Sequence, residues 1–420
     1  MGTKAWGLAG LVIIMSLGTV NMAGAADWSI VPSITQRSEF NSNLNMTSTN
    51  ILSDYILSLA PAADFNYTTE ISQLTGHLGL FGQHYISHDN LDHIDQNYQI
   101  NWRYQMHPKV NLSFNSTYIN DSTLIQELQT SGLVIGRTPR QSFYAGPGIT
   151  YNVTERLLAT ASYNFNRVAY QGTGFTNYTS QQAGLNFTYL LKNEKTSLIN
   201  QNVVSETLYA GGNNYKSIGI YGGVEHRFSE RWNVNLMSGA NINFYSTNTQ
   251  VLNASPFPLS DQVNPLSDQV TQVNPFFIQV KTKRIESSGV SPYVKGSTSY
   301  RWTKLTVTGG FSMSQQPSPN GATYQVNQLN VGANYNFTER LSGALGGWYS
   351  LSNQSSQNVS SEYNYYSITP SLNYQITEKF SVSPGYRFSN SASLTSTGSS
   401  AHVHMAWIQF SYTYPIHYQK

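Results

Sequence analysis

The chain has 420 residues, no cysteine, 10% charged and 13% aromatic residues, 29 tyrosines and a formal charge of +2. Average domains carry about a quarter charged residues, so an ordinary soluble globule fits poorly, and the near-neutral charge offers no basic face to nucleic acid. Without cysteine there is no disulfide framework and no Cys-x-x-Cys-His for a c-type haem.

The first residues read as an export leader. Lys4 gives a positive start, Leu8 to Val20 is apolar apart from small residues and Ser16, and Ala23-Gly-Ala25 is a small-residue cleavage site. The expected division is therefore a signal peptide over 1–25 and one β-domain over 26–420. The leader's apolar core is too short to span a bilayer, and no later run of about 18 apolar residues follows, which excludes a helical membrane protein.

Strands are predicted from the first mature residues onward. The opening Trp28-Ser-Ile-Val-Pro-Ser-Ile34, then Glu39-Phe-Asn-Ser-Asn43 and Leu57-Ser-Leu-Ala-Pro61, together with the Thr-Glu-Arg turns described below and the ending Phe410-Ser-Tyr-Thr-Tyr-Pro415, resembles the β-barrel porins encoded in exopolysaccharide- and exosortase-linked loci of environmental Gram-negative bacteria. The resemblance covers the mature chain, but its motifs are structural. It implies a barrel, and beyond that either polysaccharide export or general porin function, and it carries no catalytic residue across.

His84, His88 and His93 follow, interleaved with Asp89, Asp92 and Asp95 in one expected extracellular loop. Imidazole and carboxylate together suit a divalent cation, yet a loop seldom fixes ligand geometry, so the three are a weak metal candidate and no metal site is expected. His402 and His404 are weaker still.

Through the middle of the chain one phrase returns: Tyr151-Asn-Val-Thr-Glu-Arg156, His226-Arg-Phe-Ser-Glu-Arg231, Tyr335-Asn-Phe-Thr-Glu-Arg340 and Tyr374-Gln-Ile-Thr-Glu-Lys379. Looser copies stand at Asn66–Thr69, His107–Lys109, Lys192–Lys195 and Trp302–Lys304. Each joins an aromatic-ended strand to a new alternating one, with longer polar stretches between hairpins. Short turns facing the periplasm and long extracellular loops are the pattern of an outer-membrane β-barrel.

The strands have two faces. Trp232, Val234, Leu236, Ala240, Ile242 and Phe244 alternate with Asn233, Asn235, Asn241 and Asn243. Tyr98, Ile100, Trp102 and Tyr104 alternate with Asn97, Gln99, Asn101 and Arg103, and Leu329 to Phe337 does the same. A soluble β-sandwich or β-helix would bury the apolar face and show asparagine to water. Aromatics gathered beside the short turns favour an interfacial girdle. About 18 strands are expected, starting near 28, 51, 70, 94, 110, 138, 156, 176, 195, 214, 231, 286, 304, 322, 340, 362, 379 and 402, the last running from Met405 to Tyr414.

The segment 247–283 interrupts this rhythm. Pro258-Leu-Ser-Asp-Gln-Val-Asn264 is duplicated as Pro265-Leu-Ser-Asp-Gln-Val-Thr271, and proline density argues against strands. It is expected to be a long extracellular loop, either surface decoration or a constriction folded into the mouth.

Alternation places Arg103, Glu225, Arg227, Lys295, Arg301 and Arg387 on the inner face as candidate pore-lining residues. Such charges either select solutes or stiffen the wall as ion pairs. A basic, Asn- and Tyr-lined lumen suits anionic or hydroxyl-rich solutes. The many serines make a hydrolase arrangement uninformative, Gly343-Ala-Leu-Gly-Gly347 is followed by no helix and is no phosphate loop, and no enzyme or cofactor is expected.

The expected function is a channel for hydrophilic solutes in the cell outer membrane, with exopolysaccharide export as the leading variant. The alternatives are a sleeve around a secreted multihaem electron carrier, which would have to supply its own haem, and a structural or adhesive surface barrel. Expected partners are outer-membrane lipid and lipopolysaccharide, the barrel-assembly machinery, and periplasmic polysaccharide-export or cytochrome proteins, with no nucleic acid.

Overall fold

The computed structural model describes residues 26–122, 137–172, 174–256, 276–318, 323–356, 359–394 and 400–419. Among them the chain is nearly all strand: β1 (Asp27–Asn41), β2 (Asp54–Thr68), β3 (Ser72–Tyr85), β4 (His93–His107), β5 (Val110–Ser122), β6 (Pro139–Asn152), β7 (Leu157–Tyr170), β8 (Tyr178–Leu190), β9 (Thr196–Tyr209), β10 (Asn214–Arg227), β11 (Trp232–Pro256), β12 (Phe276–Arg301), β13 (Leu305–Pro317), β14 (Thr323–Asn336), β15 (Leu341–Ser356), β16 (Val359–Gln375), β17 (Phe380–Ser393), β18 (Ser400–Thr413) and the short β19 (Ile416–Gln419). One single-turn 3-10 helix, Asp89–Leu91, precedes β4.

Each of β1 to β17 pairs antiparallel with the next, and β1 closes the ring. One edge of β1 is bonded to β2 from Asp27 opposite Thr68 to Asn41 opposite Asp54. The other edge meets β18 from Ser33 opposite Thr413 to Asn41 opposite Met405. The fold is therefore a closed antiparallel barrel of 18 long strands. Where the sequence reading ended the last strand at Tyr414, the wall continues: β19 pairs with β1 from Ile416 opposite Ile30 to Gln419 opposite Asp27. Pro415 has no N–H to give to the ladder, so the strand breaks there, and the Tyr414 N–H donates to the Pro32 carbonyl at 3.0 Å.

Register sorts the side chains. Facing outward and exposed are Leu57, Leu59, Leu78, Leu80, Leu185, Ile218, Ile220, Leu236, Ile242, Val331, Leu345, Leu372 and Ile408. Inward, on the opposite face of β11, lie Asn233, Asn235, Asn241 and Asn243, the last two buried. An inside-out distribution of this kind has hydrocarbon, not water, as its favourable solvent. No helix among the described residues is long and apolar enough to cross a membrane. Beside the short turns the outward aromatics pack on one another: Phe228 on Trp232 at 4.2 Å, Tyr300 on Trp302 at 3.9 Å and Tyr335 on Phe337 at 4.9 Å.

The repeated turn phrase has a mechanical reason. The Thr338 hydroxyl accepts from the Arg340 and Leu341 N–H groups at 3.2 and 2.9 Å. Thr154 does the same for Arg156 and Leu157, and Thr377 for Lys379 and Phe380. A threonine at this place satisfies N–H groups that the hairpin reversal strips from the ladder. At the opposite end not every connection is long. β9 and β10 are joined by only Ala210–Asn213, a reversal that needs Gly212 at φ +83°.

Of the segment 247–283 expected as a loop, the described residues 247–256 and 276–283 are strand. β11 continues to Pro256 and β12 begins at Phe276, paired from Thr247 opposite Ile285 to Pro256 opposite Phe276. The arms contain no proline before Pro256 or after Pro275 up to Lys283, so each can serve its partner's ladder. The duplicated 258–271 stretch and the leader 1–25 lie outside the described residues.

Replacing Thr338 with Val removes, at nearly constant shape, the one hydroxyl that accepts both N–H groups. It should cost about 1 kcal/mol in urea unfolding from lipid vesicles, whereas Thr338→Ser should keep most of that stability.

Candidate functional site in the barrel lumen

The connection between β1 and β2, residues 42–53, turns into the lumen. Asn43 anchors it: its amide donates to the carbonyls of Thr47 (2.8 Å) and His402 (3.2 Å), and its oxygen accepts the Thr47 N–H at 3.2 Å. Ser42 and His404 bond reciprocally: the Ser42 N–H donates to the His404 carbonyl at 3.0 Å, and the His404 N–H donates to the Ser42 hydroxyl at 2.9 Å. Leu44, 1% exposed, packs with Ile56, Tyr85, Leu52 and Leu91. Met46, 3% exposed, packs on the other side against Tyr365, Ala401, Val403, Met405, Trp348 and Trp407. Met46 sits at φ +50°, a left-handed backbone that costs a side-chain-bearing residue about 1–2 kcal/mol. Burial on both sides holds it there. The connection is a wedge between the β2–β3 wall and the β15–β18 wall.

Across the lumen a group of tyrosines fills space at the same loop end. Tyr215 donates to Asn243 Oδ1 at 2.8 Å, and Asn243 Nδ2 donates to Ser291 Oγ at 2.9 Å. The rings of Tyr221 and Tyr293 stand 4.0 Å apart and those of Tyr215 and Tyr245 5.1 Å apart. Tyr245 reaches Gln315 of β13 at 3.0 Å, over the gap left where β12 and β13 stop pairing beyond Val294 and Met313. Wedge and tyrosines narrow the loop half, while Lys295, Ser297, Asn233 and Arg301 stay exposed in the turn half.

Beside the wedge lies the densest group of lumenal charge. Arg37 and Glu39, two residues apart on the inner face of β1, form an ion pair, and the Arg37 guanidinium lies 4.4 Å above the Trp407 ring. Arg137 donates to the Tyr85 hydroxyl and covers that ring at 5.1 Å. Tyr85 in turn donates to Gln83 at 2.8 Å. Glu39 lies within electrostatic reach of both Arg137 and Arg387. Nearby, Arg140 grips Asp121 with two bonds of 3.0 and 2.9 Å.

The six residues expected to line the pore fall on the inner face by register: Arg103 opposite Ser113, Glu225 opposite Asn235, Arg227 opposite Asn233, Lys295 opposite Met237, Arg301 opposite Thr306, and Arg387 opposite Met405. They do not form one site. Arg103, Glu225, Arg227, Lys295 and Arg301 spread over the turn half, and only Arg387, hydrogen-bonded to Thr369 at 3.3 Å, joins the group at the wedge. Arg37, Glu39, Asp121, Arg137 and Arg140 are additional to the sequence reading. On β1 the outward Gln36 and Ser38 are themselves polar and bonded at 2.9 Å, which blurs the period-two signal that would have marked Arg37 and Glu39.

The three histidines do not converge, because register places His84 on the outer face of the wall and His93 on the inner one. His84 pairs with Asp92 at 2.7 Å, His88 with Asp54 at 2.8 Å, and His93 with the Leu91 carbonyl at 2.7 Å and Asp95 at 3.4 Å. Hydrogen bonds from His84 and the Tyr85 N–H hold the Asp92 carboxyl below its ordinary range. Among the described residues no group of three or more His, Cys, Asp or Glu side chains is placed to hold a metal ion.

No protein-family model matches the chain, and no curated protein matches it. Among solved structures it is similar to the outer membrane protein OpdK from Pseudomonas aeruginosa, with 10% identity over 92% of this chain and 99% of that one and a TM-score of 0.43. The ferric-catecholate import receptor Fiu from E. coli gives 10% identity over 91% and 81%, TM-score 0.45, and OccAB3 from Acinetobacter baumannii 10% over 93% and 99%, TM-score 0.42. At such identities and superpositions the fold rests on the strand pairing itself.

Arg140→Leu strands a buried carboxylate and should destabilise the barrel by about 3–5 kcal/mol, while Asp121→Leu/Arg140→Leu should recover most of that loss. Thermal unfolding in detergent followed by circular dichroism reads the difference.

Proposed function

We propose that the protein is an outer-membrane channel that passes hydrophilic solutes through its lumen. The observation that carries this reading is the two-sidedness of a closed wall: apolar side chains cover its outer face, and asparagine, serine and threonine its inner face. A ring of 16 to 18 strands is wide enough to enclose water, where about eight would be filled by side chains. The wedge and the tyrosines then reduce that width at the loop end, so the path is a funnel with an eyelet rather than an open bore.

Within this reading, export of an exopolysaccharide remains the leading variant. A flexible, hydroxyl-rich chain can thread an eyelet lined by amides and hydroxyls, one sugar at a time. A sleeve around a folded electron carrier would need the space that Leu44, Met46 and the tyrosines occupy, which argues against that alternative. The leader, the lipid and lipopolysaccharide surroundings, the barrel-assembly machinery and periplasmic export partners belong to the same proposal.

Two measurements test it. The chain should fractionate with outer membranes and migrate faster on gels before heating than after, because a closed ladder resists detergent; recovery as a soluble periplasmic protein would refute the location. In planar bilayers the purified protein should conduct ions, and Leu44→Ser/Met46→Ser, which removes the wedge's apolar anchors, should raise single-channel conductance. Unchanged conductance in that variant would show that the wedge does not bound the path.

A further inference from the structure

Among the described residues, cations outnumber carboxylates in the charge group beside the wedge. Three guanidiniums, those of Arg37, Arg137 and Arg387, share one carboxylate, Glu39. Among the described residues, Asp121 is engaged by both arms of Arg140 at 3.0 and 2.9 Å, and Asp95 stands 3.4 Å from His93. The Nε–H groups of Arg37 and of Arg137 are both buried and have no hydrogen-bond partner. A buried Nε–H without an acceptor is costly, and a shortage of counter-charge around it adds to that cost. The planar guanidinium fork suits a two-oxygen anion better than a single atom.

The place of the group matters as much as its charge. Arg37 is on β1, Arg387 on β17, and Arg137 enters from the segment before β6 on the far side of Tyr85, so the cations come from separate parts of the wall beside the wedge. The Trp407 and Tyr85 rings beneath Arg37 and Arg137 hold both planes in position through cation–π contact. A solute passing the eyelet meets this surplus of positive charge, set among the amide and hydroxyl groups that would bond sugar hydroxyls.

We infer that Arg37, Arg137 and Arg387 form a carboxylate-binding site at the eyelet, and that the solutes handled are acidic saccharides whose uronate groups engage it in turn. The inference rests on the channel reading and names its substrate class. Glu39 tempers the site: it holds Arg37 in place and keeps the net positive charge low enough for a bound anion to leave again, as conduction requires.

The test uses the full mature protein. In planar bilayers trigalacturonic acid should interrupt the ion current in a concentration-dependent way, while maltotriose, a neutral trisaccharide, should not. Arg137→Gln and Arg387→Gln should each weaken the trigalacturonate effect roughly tenfold, the usual worth of one charge-assisted bond. Arg387→Lys should retain part of it, and Arg156→Gln, in a short turn, should behave as the parent does. Heat-modifiable migration shows that each variant still forms the barrel. Conductance with equal or absent interruption by the two trisaccharides would overturn the site and leave the channel standing. If no conductance is seen, the channel reading fails, and titration calorimetry of trigalacturonate against the detergent-folded protein decides the site alone, absence of heat from the parent overturning it.

Discussion

The constraint on which the rest of this structure depends is that β1 must be paired along both edges. An apolar outer face belongs in hydrocarbon, where a backbone N–H or C=O without a partner costs several kcal/mol, so a sheet of this kind is tolerated there only when it has no edge. β1 meets β2 over its full length and β18 and β19 over nearly all of it, with only Val31 and Pro32 facing the Tyr414–Pro415 break. The Tyr414 N–H crossing to Pro32 bridges that break. Closure in turn fixes register, and register decides which of two neighbouring residues faces outward and which faces the lumen.

Once the wall is closed, its interior has to be furnished with polar groups that satisfy one another. The described lumen does so with short ladders across adjacent strands, such as Tyr215 to Asn243 to Ser291, and Ser205 with Ser217 at 2.8 Å. One exception lies beside the wedge. There apolar packing by Leu44 and Met46 excludes water from one side of a charge group whose cations outnumber their partners. The wedge and the charge group occupy the same level of the barrel.

The wedge also joins the barrel's first and last strands. Asn43 and Ser42 bond the carbonyls of His402 and His404 on β18, while Leu44 packs toward β2 and β3. The closing seam is thereby clamped from within as well as by its ladder. The same few contacts seat the loop in the lumen and hold the seam.

Much of the fold was legible in the sequence because barrel strands obey a local rule. Side chains alternate with period two, and each hairpin reversal needs its own acceptor, so Asn233 to Asn243 against Trp232 to Phe244, and the threonines of the Thr-Glu-Arg turns, reported strands, faces and turns without any knowledge of neighbours. The inner face of the six expected pore residues followed from the same rule. Proline density misled for the described residues 247–256 and 276–283, because these two stretches pair with each other. Which charges meet was not legible. Arg37, Arg137 and Arg387 are separated by 100 and 250 positions, and only the closure of the ring, a long-range fact of backbone pairing, puts them beside one another. The role of residues 42–53 was hidden for the same reason, since nothing in a short polar loop says whether it folds outward into water or inward onto a wall that only the tertiary structure builds.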